Sequence, residues 1–347
     1  MKINNIMAIC AAGVIALGTT SCRKELCYNH FRTASVALDW EQEWERDYGM
    51  SHATTWDGNL HGFDYGTLRP GMPEGVTMIT YTDNGNPRET YMDTKGADVN
   101  VGEPGEHTLL FYNNDTEYIV LSDMASFAEA RATSTSRSRS TIGTLESMYP
   151  AVRSTNPPDI LFASYEENLP DIGLHDSKPL PVTMQPLVYT YVIRYEFEHG
   201  IEHVALARGA LAGMAESVYL RNGVTSEESS IILYDCDIKN FGCTAHVRTF
   251  GVPGFPDEYY GRSGMSRADR PYTLNLEVRL KNGKTFEFNY DIADQIAKQP
   301  RGGIIRISGI RIEDDQNLSD SGFDVTVDDW GEHEDIELPD DIFSPAK

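Results

Sequence analysis

The sequence predicts an all-β protein built as sandwiches, and three observations carry that reading. Short apolar runs recur in which every second residue faces a core, as at Ala34, Val36 and Leu38. Clusters of turn residues separate the runs at the close spacing of antiparallel strands, with no room for crossover helices. One segment, Tyr272 to Tyr290, reads as a complete β-hairpin.

The elements follow in order. Thr33–Trp40 alternates and predicts a half-buried strand. Val76–Tyr81 is a second, His107–Tyr112 a third and Glu117–Leu121 a fourth. Asn113, Asn114 and Asp115 between the last two tolerate positive φ and form a turn. Ala130–Thr144, rich in Ser, Thr and Arg, reads as an exposed loop without a core. A Pro-rich stretch from Pro157 to Pro186 follows and marks the domain boundary. Leu187–Phe197 and Ser230–Tyr234 are strands, and Glu202–Met214 is a small, apolar run. Tyr272, Leu274, Leu276, Val278 and Leu280 then alternate, and Phe286, Phe288 and Tyr290 return beyond Lys281-Asn282-Gly283-Lys284. Asn-Gly predicts a two-residue primed turn with both central residues at positive φ. Asp291–Gln299 can make a short helix stopped by Pro300, and Ile304–Ile312 and Asp324–Val327 are the last strands.

The first 21 residues are excluded from the fold. Lys2 is a positive n-region, Ile6–Leu17 a short apolar run, and Gly18-Thr19-Thr20-Ser21 a small-residue site before Cys22. That order predicts a lipoprotein signal peptide with lipidation at Cys22, although Thr19 stands where a Leu is usual. No other stretch is long and apolar enough to span a bilayer, so attachment to the outer membrane would rest on the lipid. The expected organisation is signal peptide 1–21, polar leader 22–30, one sandwich at 31–178, and a second at 179–347 with an acidic tail. The 326 residues after the signal peptide suit two cores better than one.

Charge excludes one class of function. The formal net charge is −24, and loss of Lys2 makes it −25. Glu313–Asp341 holds thirteen Asp and Glu and no Lys or Arg. Such a chain repels phosphates, so nucleic acid is not a partner. Beyond Cys22, Cys27, Cys236 and Cys243 are an odd number with poor zinc spacing. Cys236 and Cys243 read as two buried thiols, although a disulfide across a tight turn is also open to them.

Chemical motifs are sparse, and neither metal nor cofactor is expected. Asp315-x-Asn317-x-Ser319-Asp320 resembles a calcium loop but lacks the glycine at its sixth position and the bidentate Glu at its twelfth. Asp39, Glu41, Glu43, Glu45 and Asp47 crowd around Trp40 and Trp44, a glycosidase-like composition without a distant partner carboxylate. An exposed loop with Trp40 turned inward accounts for it, and the chain is read as no enzyme.

Several segments resemble the fimbrillin superfamily of Bacteroidales lipoproteins, in particular its anchor and accessory members. They are Cys22 with its leader, Leu38-Asp39-Trp40, the stretch Pro158-Asp159-Ile160-Leu161-Phe162-Ala163, the stretch Val204–Leu220 with Ala212-Gly213-Met214-Ala215, and the ending Phe323–Trp330. The resemblance implies two transthyretin-like β-sandwiches at the cell surface, joined to fimbrial subunit proteins by β-strand exchange and supporting adhesion. It implies arginine-specific maturation of polymerising members, for which Arg46 is the candidate here. Arg131, Arg137 and Arg139 are further candidate cleavage sites, in the predicted loop. Ile336, Leu338 and Ile342, alternating with charge in the tail, are candidate strand-donor residues. A second reading is a glycan-binding lipoprotein, with Trp44, Trp56, Tyr259 and Tyr260 stacking on sugar rings.

Overall fold

A computed structural model describes residues 32–44, 52–82, 86–102, 107–139, 149, 151–169, 179–256 and 272–313. Cys22, Cys27, Glu45, Arg46, Asp47, Tyr259, Tyr260, the 315–320 loop, the 324–327 strand, Ile336, Leu338 and Ile342 lie outside them.

The fold is all-β. In the first half, β1 (Arg32–Trp40), β2 (Val76–Tyr81), β3 (Arg88–Met92), β4 (Asp98–Gly102), β5 (His107–Asn113), β9 (Phe162–Leu169) and β10 (Leu180–Pro186) form one sheet in the order β3-β2-β5-β9-β10-β1-β4. Its central strands are apolar on both faces. Val76, Met78, Leu109, Phe111 and Phe162 pack on one side, and Ile79, Leu110, Tyr112, Leu161 and Ala163 on the other. The second face is covered by a small sheet of β6 (Ile119–Ser122), β7 (Arg131–Ser134) and β13 (Ser217–Tyr219), in the order β13-β7-β6.

The second half is a sandwich. One sheet is β15-β16-β11-β19, from β11 (Tyr189–His199), β15 (Asp237–Lys239), β16 (Gly242–Thr249) and β19 (Gly303–Arg311). The other is β18-β17-β12-β14-β8, from β8 (Arg153–Thr155), β12 (Val204–Ala215), β14 (Ser229–Asp235), β17 (Thr273–Leu280) and β18 (Thr285–Asp291). Between them lies one continuous core that includes Tyr191, Tyr195, Leu211, Ile232, Leu276 and Ile305. Tyr195 and Tyr234 share a hydroxyl–hydroxyl hydrogen bond of 2.8 Å inside it, which satisfies both polar ends.

Four expectations are revised. The described part of Ala130–Thr144, residues 130–139, is no plain loop. Ala130, Ala132 and Ser134 are buried, and β7 lies between two partner strands. Side chains of Ser and Thr fill the ladder positions, so the stretch looked coreless although alternate residues face the first sheet. The Asn-Gly turn holds three residues, not two. Leu280 donates to Lys284 at 2.8 Å, Gly283 donates back to Leu280 at 2.9 Å, and only Gly283 has positive φ (85°). This is the geometry in which a glycine closes the turn as a bulge. The expected divide at 178/179 falls before β10, which pairs with β1 and β9, so a divide after Pro186 follows the sheets more closely. Trp44 is a core residue, as the next subsection describes. Cys236 and Cys243 are free thiols, half-buried and buried, and burial pushes Cys243 up to about 12.

The two halves also exchange segments. β8 joins the second sandwich, parallel to β14, while β13 joins the small sheet under the first. The Pro158–Ala163 stretch has a structural role. The Asp159 carboxylate accepts from the backbone of Glu117 and Tyr118, and Leu161 and Phe162 are fully buried.

Candidate functional site: an aromatic strap and the strand edges

Between β1 and β2 the chain leaves its own sheet and straps across the outer face of the second sandwich. Trp44 is the wedge. It is 1% exposed and packs on Leu68 and on Val192 of β11, and its carbonyl accepts from Thr190 N–H at 2.7 Å. Its ring meets Trp56 at 6.0 Å, Tyr65 at 5.5 Å and His52 at 6.1 Å. Trp56 is half-buried, stacks on His61 at 4.1 Å and donates from Nε1 to the Phe63 carbonyl at 2.9 Å. Phe63 meets His246 of β16 edge-on at 4.7 Å. Asp57 caps the helical turn Gly58–His61, accepting from Asn59 and Leu60 N–H, and the turn points the Leu60 carbonyl at Arg194 of β11.

Charge locks the strap down. Arg194 donates to the Leu60 carbonyl and, at 2.6 Å, to Glu196. Glu196 also accepts two bonds from Arg306, at 2.8 and 2.7 Å. Burial pushes the Glu196 carboxyl up, but the two guanidiniums outweigh it and hold the group below its usual range. Burial first, and then Arg194, lowers His61, and burial lowers His246. Both shifts disfavour a charged imidazole beside the aromatic rings.

The sequence-predicted residues are scattered. Asp39, Glu41 and Glu43 are partly or fully exposed around the end of β1, and Trp40 packs edge-on against Phe162 at 5.1 Å while donating to the Thr94 carbonyl. Of the proposed sugar-stacking set, Trp44 is buried and Trp56 is half-buried and stacked on His61. Arg131 lies in the middle strand of the small sheet and pairs with Asp123 at 2.9 Å. Arg137 reaches the Leu233 carbonyl and Asp235, and Arg139 the carbonyl of Tyr149. Arg137, and Arg139 through Ser154 of β8, fasten this stretch to the second sandwich, whereas Arg131 stays within the small sheet. Sequence reasoning missed the strap itself; the aromatic density of Trp44, Trp56, Phe63 and Tyr65 was its signal.

A family model described as a domain of unknown function, DUF5119, matches residues 61–235, half of the chain. The chain belongs to that family. Among solved structures, a candidate adhesin from Bacteroides ovatus is 19% identical, with a TM-score of 0.54, covering 85% of this chain and 99% of that one. The two share a fold. A second candidate adhesin from Bacteroides ovatus is 9% identical at a TM-score of 0.46, covering 80% and 89% of the two chains. The fimbrial anchor protein Mfa2 from Porphyromonas gingivalis is 10% identical at 0.41, covering 80% and 90%. None of the curated proteins matches the sequence.

Proposed function

We propose that this chain is a cell-surface lipoprotein of the outer membrane. It acts as a fimbrial anchor or accessory subunit that joins fimbrial subunit proteins by strand exchange and supports adhesion. The observation that supports it most is the fold shared, over nearly the whole of that chain, with a protein described as a candidate adhesin. The signal-peptide pattern ending at Cys22 supports the lipid anchor. Cys22→Ser should move the protein from the membrane fraction to the soluble one; a protein that stays in membranes without incorporating a fatty-acid label ends the anchor reading.

Strand exchange is the physical core of the proposal, since an extended segment that adds to a sheet gains a row of backbone hydrogen bonds. Ile336, Leu338 and Ile342 remain the candidate donors. Deleting Asp335–Lys347 should leave thermal stability nearly unchanged and abolish co-purification with fimbrial subunits; a deletion that still captures them removes the donor role. Arg46, Arg137 and Arg139 remain candidate cleavage sites, whereas β-pairing on both sides works against cleavage at Arg131. Glycan binding keeps Tyr259 and Tyr260 as candidates, and a glycan array run beside the co-purification separates the two readings.

A further inference from the structure

A sandwich that accepts a partner's strand needs an edge whose backbone groups are free. β8 and β15 are three residues each, and β8 is already met on its far side by Ser136 bridging to Thr155 and by Arg137 N–H donating to Ser154. β19 is longer, but its outer edge is sealed by two glutamine side chains. The Gln299 amide donates to the Ile304 carbonyl at 2.6 Å and accepts from Ile304 N–H at 2.8 Å. The Gln295 amide does the same for Arg306, at 3.0 and 2.9 Å. Each primary amide thus stands in for one peptide unit of a neighbouring strand. Gly303 makes room for this, because a Cβ there would lie 2.0 Å from Gln299 Oε1. Past Ile307 the strand's register with β11 shifts, which breaks the ladder.

β18 is the opposite case. It is seven residues long, has no bulge, and among the described residues pairs only with β17. The bonds Leu280 N–H to Lys284 and Ile292 N–H to Tyr272, at either end of the hairpin, fix which groups face which way. Phe286, Phe288 and Tyr290 turn their backbone toward β17. Thr285, Glu287, Asn289 and Asp291 turn theirs outward, an N–H and a C=O each. Phe286, Phe288 and Tyr290 are half-buried at the margin of the core, with the last two stacked at 6.4 Å. Their side chains form an apolar ladder that a further strand would cover, while the alternate, solvent-facing row carries Glu287 and Asp291.

We infer that β18 is the edge at which this protein accepts a strand from a different polypeptide, one that alternates apolar residues with basic or neutral ones. This rests on the strand-exchange reading and assigns it a place. The apolar residues would lie on Phe286, Phe288 and Tyr290, and basic ones beside Glu287 and Asp291 at cross-strand distance. A second copy of this chain is the wrong occupant. Its net charge is −24, and its own candidate donor Ile336–Leu338 is interleaved and flanked with Glu337, Asp335 and Asp340.

The test uses the full chain and a fluorescent nine-residue peptide alternating valine with lysine and threonine. The peptide should bind, and a version with glutamate for lysine or with scrambled order should bind at least ~10-fold more weakly. Glu287→Pro removes one outward N–H without touching a hairpin bond and should lower affinity at least ~10-fold. Glu287→Lys, which leaves the backbone whole, should reverse the preference toward the glutamate peptide. Equal binding to wild type and both variants overturns the assignment, as does the absence of any peptide binding. Co-purification separates this from the functional reading. If Glu287→Pro captures fimbrial subunits as well as wild type does, strand exchange stands and β18 is not the edge. If the peptide docks on β18 and no fimbrial subunit co-purifies, the edge is right and the partner class is wrong.

Discussion

The first sheet and the second sandwich bury apolar surface in different ways. The central strands β2 and β5 carry apolar side chains on both faces, because a core lies on each side of the sheet. Strand β18 carries them on one face, with Thr285, Glu287, Asn289 and Asp291 exposed on the other. A residue in the middle of the first sheet is thus enclosed from every direction, whereas one on β18 is enclosed from about half of them. The same residue type should differ in worth by position. Phe111→Ala, at 0% exposure on β5, should cost about 3–5 kcal/mol. Phe288→Ala on β18 should cost less than half of that, since the lost contacts and the cavity are both smaller. Paired urea titrations measure the difference, and equal losses would mean that β18 is covered in solution.

The outer face of the five-stranded sheet sharpens the contrast, because it buries charge instead. Arg208 and Glu277 face each other across β12 and β17 at 2.6 Å, with side chains 9% and 7% exposed. Burial raises the Glu277 carboxyl and Arg208 partly offsets it. Arg208→Met should cost about 2–4 kcal/mol by stranding the carboxylate, and adding Glu277→Leu should recover most of it. The sign of the pH dependence follows. A carboxyl whose folded pKa is raised binds its proton more tightly when folded, so the single variant's deficit should shrink as pH falls through that raised value. A deficit that is flat from neutral to acid would show that Glu277 finds another partner.

What could be read from the sequence follows the same division. Tyr272–Tyr290 alternates because one face lines the core and the other takes polar residues, buried or half-buried on β17 and exposed on β18, and its strands were legible to within a residue. In β2 and β5 apolar residues face both ways, so existence and length were legible but the orientation was not. Arg131–Ser134 failed for the opposite reason. Its buried side chains are Ala132 and Ser134, too small or polar to look like core, and the strand paired beside it, with Val218 against Ala132, comes from eighty-odd positions later in the chain. The acidic neighbours of Trp44 dominate the local composition and predict an exposed loop, while Leu68 and Val192, which bury it, are distant in sequence. The glutamine seals of β19 have no local signature, since nothing in the spacing of Gln295 and Gln299 shows where their amides go.

The strap offers a gentler perturbation. His61 and His246 are held below the ordinary His value near 6.5. Because the unfolded chain binds those protons first, the stability they contribute is complete above about pH 6.5 and is lost as pH falls toward the lowered folded values. Tryptophan emission from Trp44 and Trp56 should therefore shift toward the red on acidification before the second sandwich's core melts. The shift should be reduced in His61→Gln/His246→Gln, which cannot charge. A shift of the same size in that variant would place the titration elsewhere.

The smallest effect concerns the two long edges of the second sandwich, and it is best read by amide exchange. On an ordinary edge, outward N–H groups exchange with solvent almost freely. The outward amides of Glu287 and Asn289 on β18 should do so. Those of Ile304 and Arg306 should not, because Gln299 and Gln295 accept from them. Gln295→Ala should raise exchange at Arg306 by roughly fivefold while leaving Ile304 slow, since one net hydrogen bond contributes about 1 kcal/mol. Global stability should change by no more than about that amount, because Gln295 sits on the surface turn Ala293–Ile296 and not in the core. Slow exchange at all four outward amides would mean that β18 is paired in solution, and fast exchange at all four that the glutamine seals open more often than they close. Only slow exchange on β19 beside fast exchange on β18 matches an edge that is closed to strands standing next to one that is open.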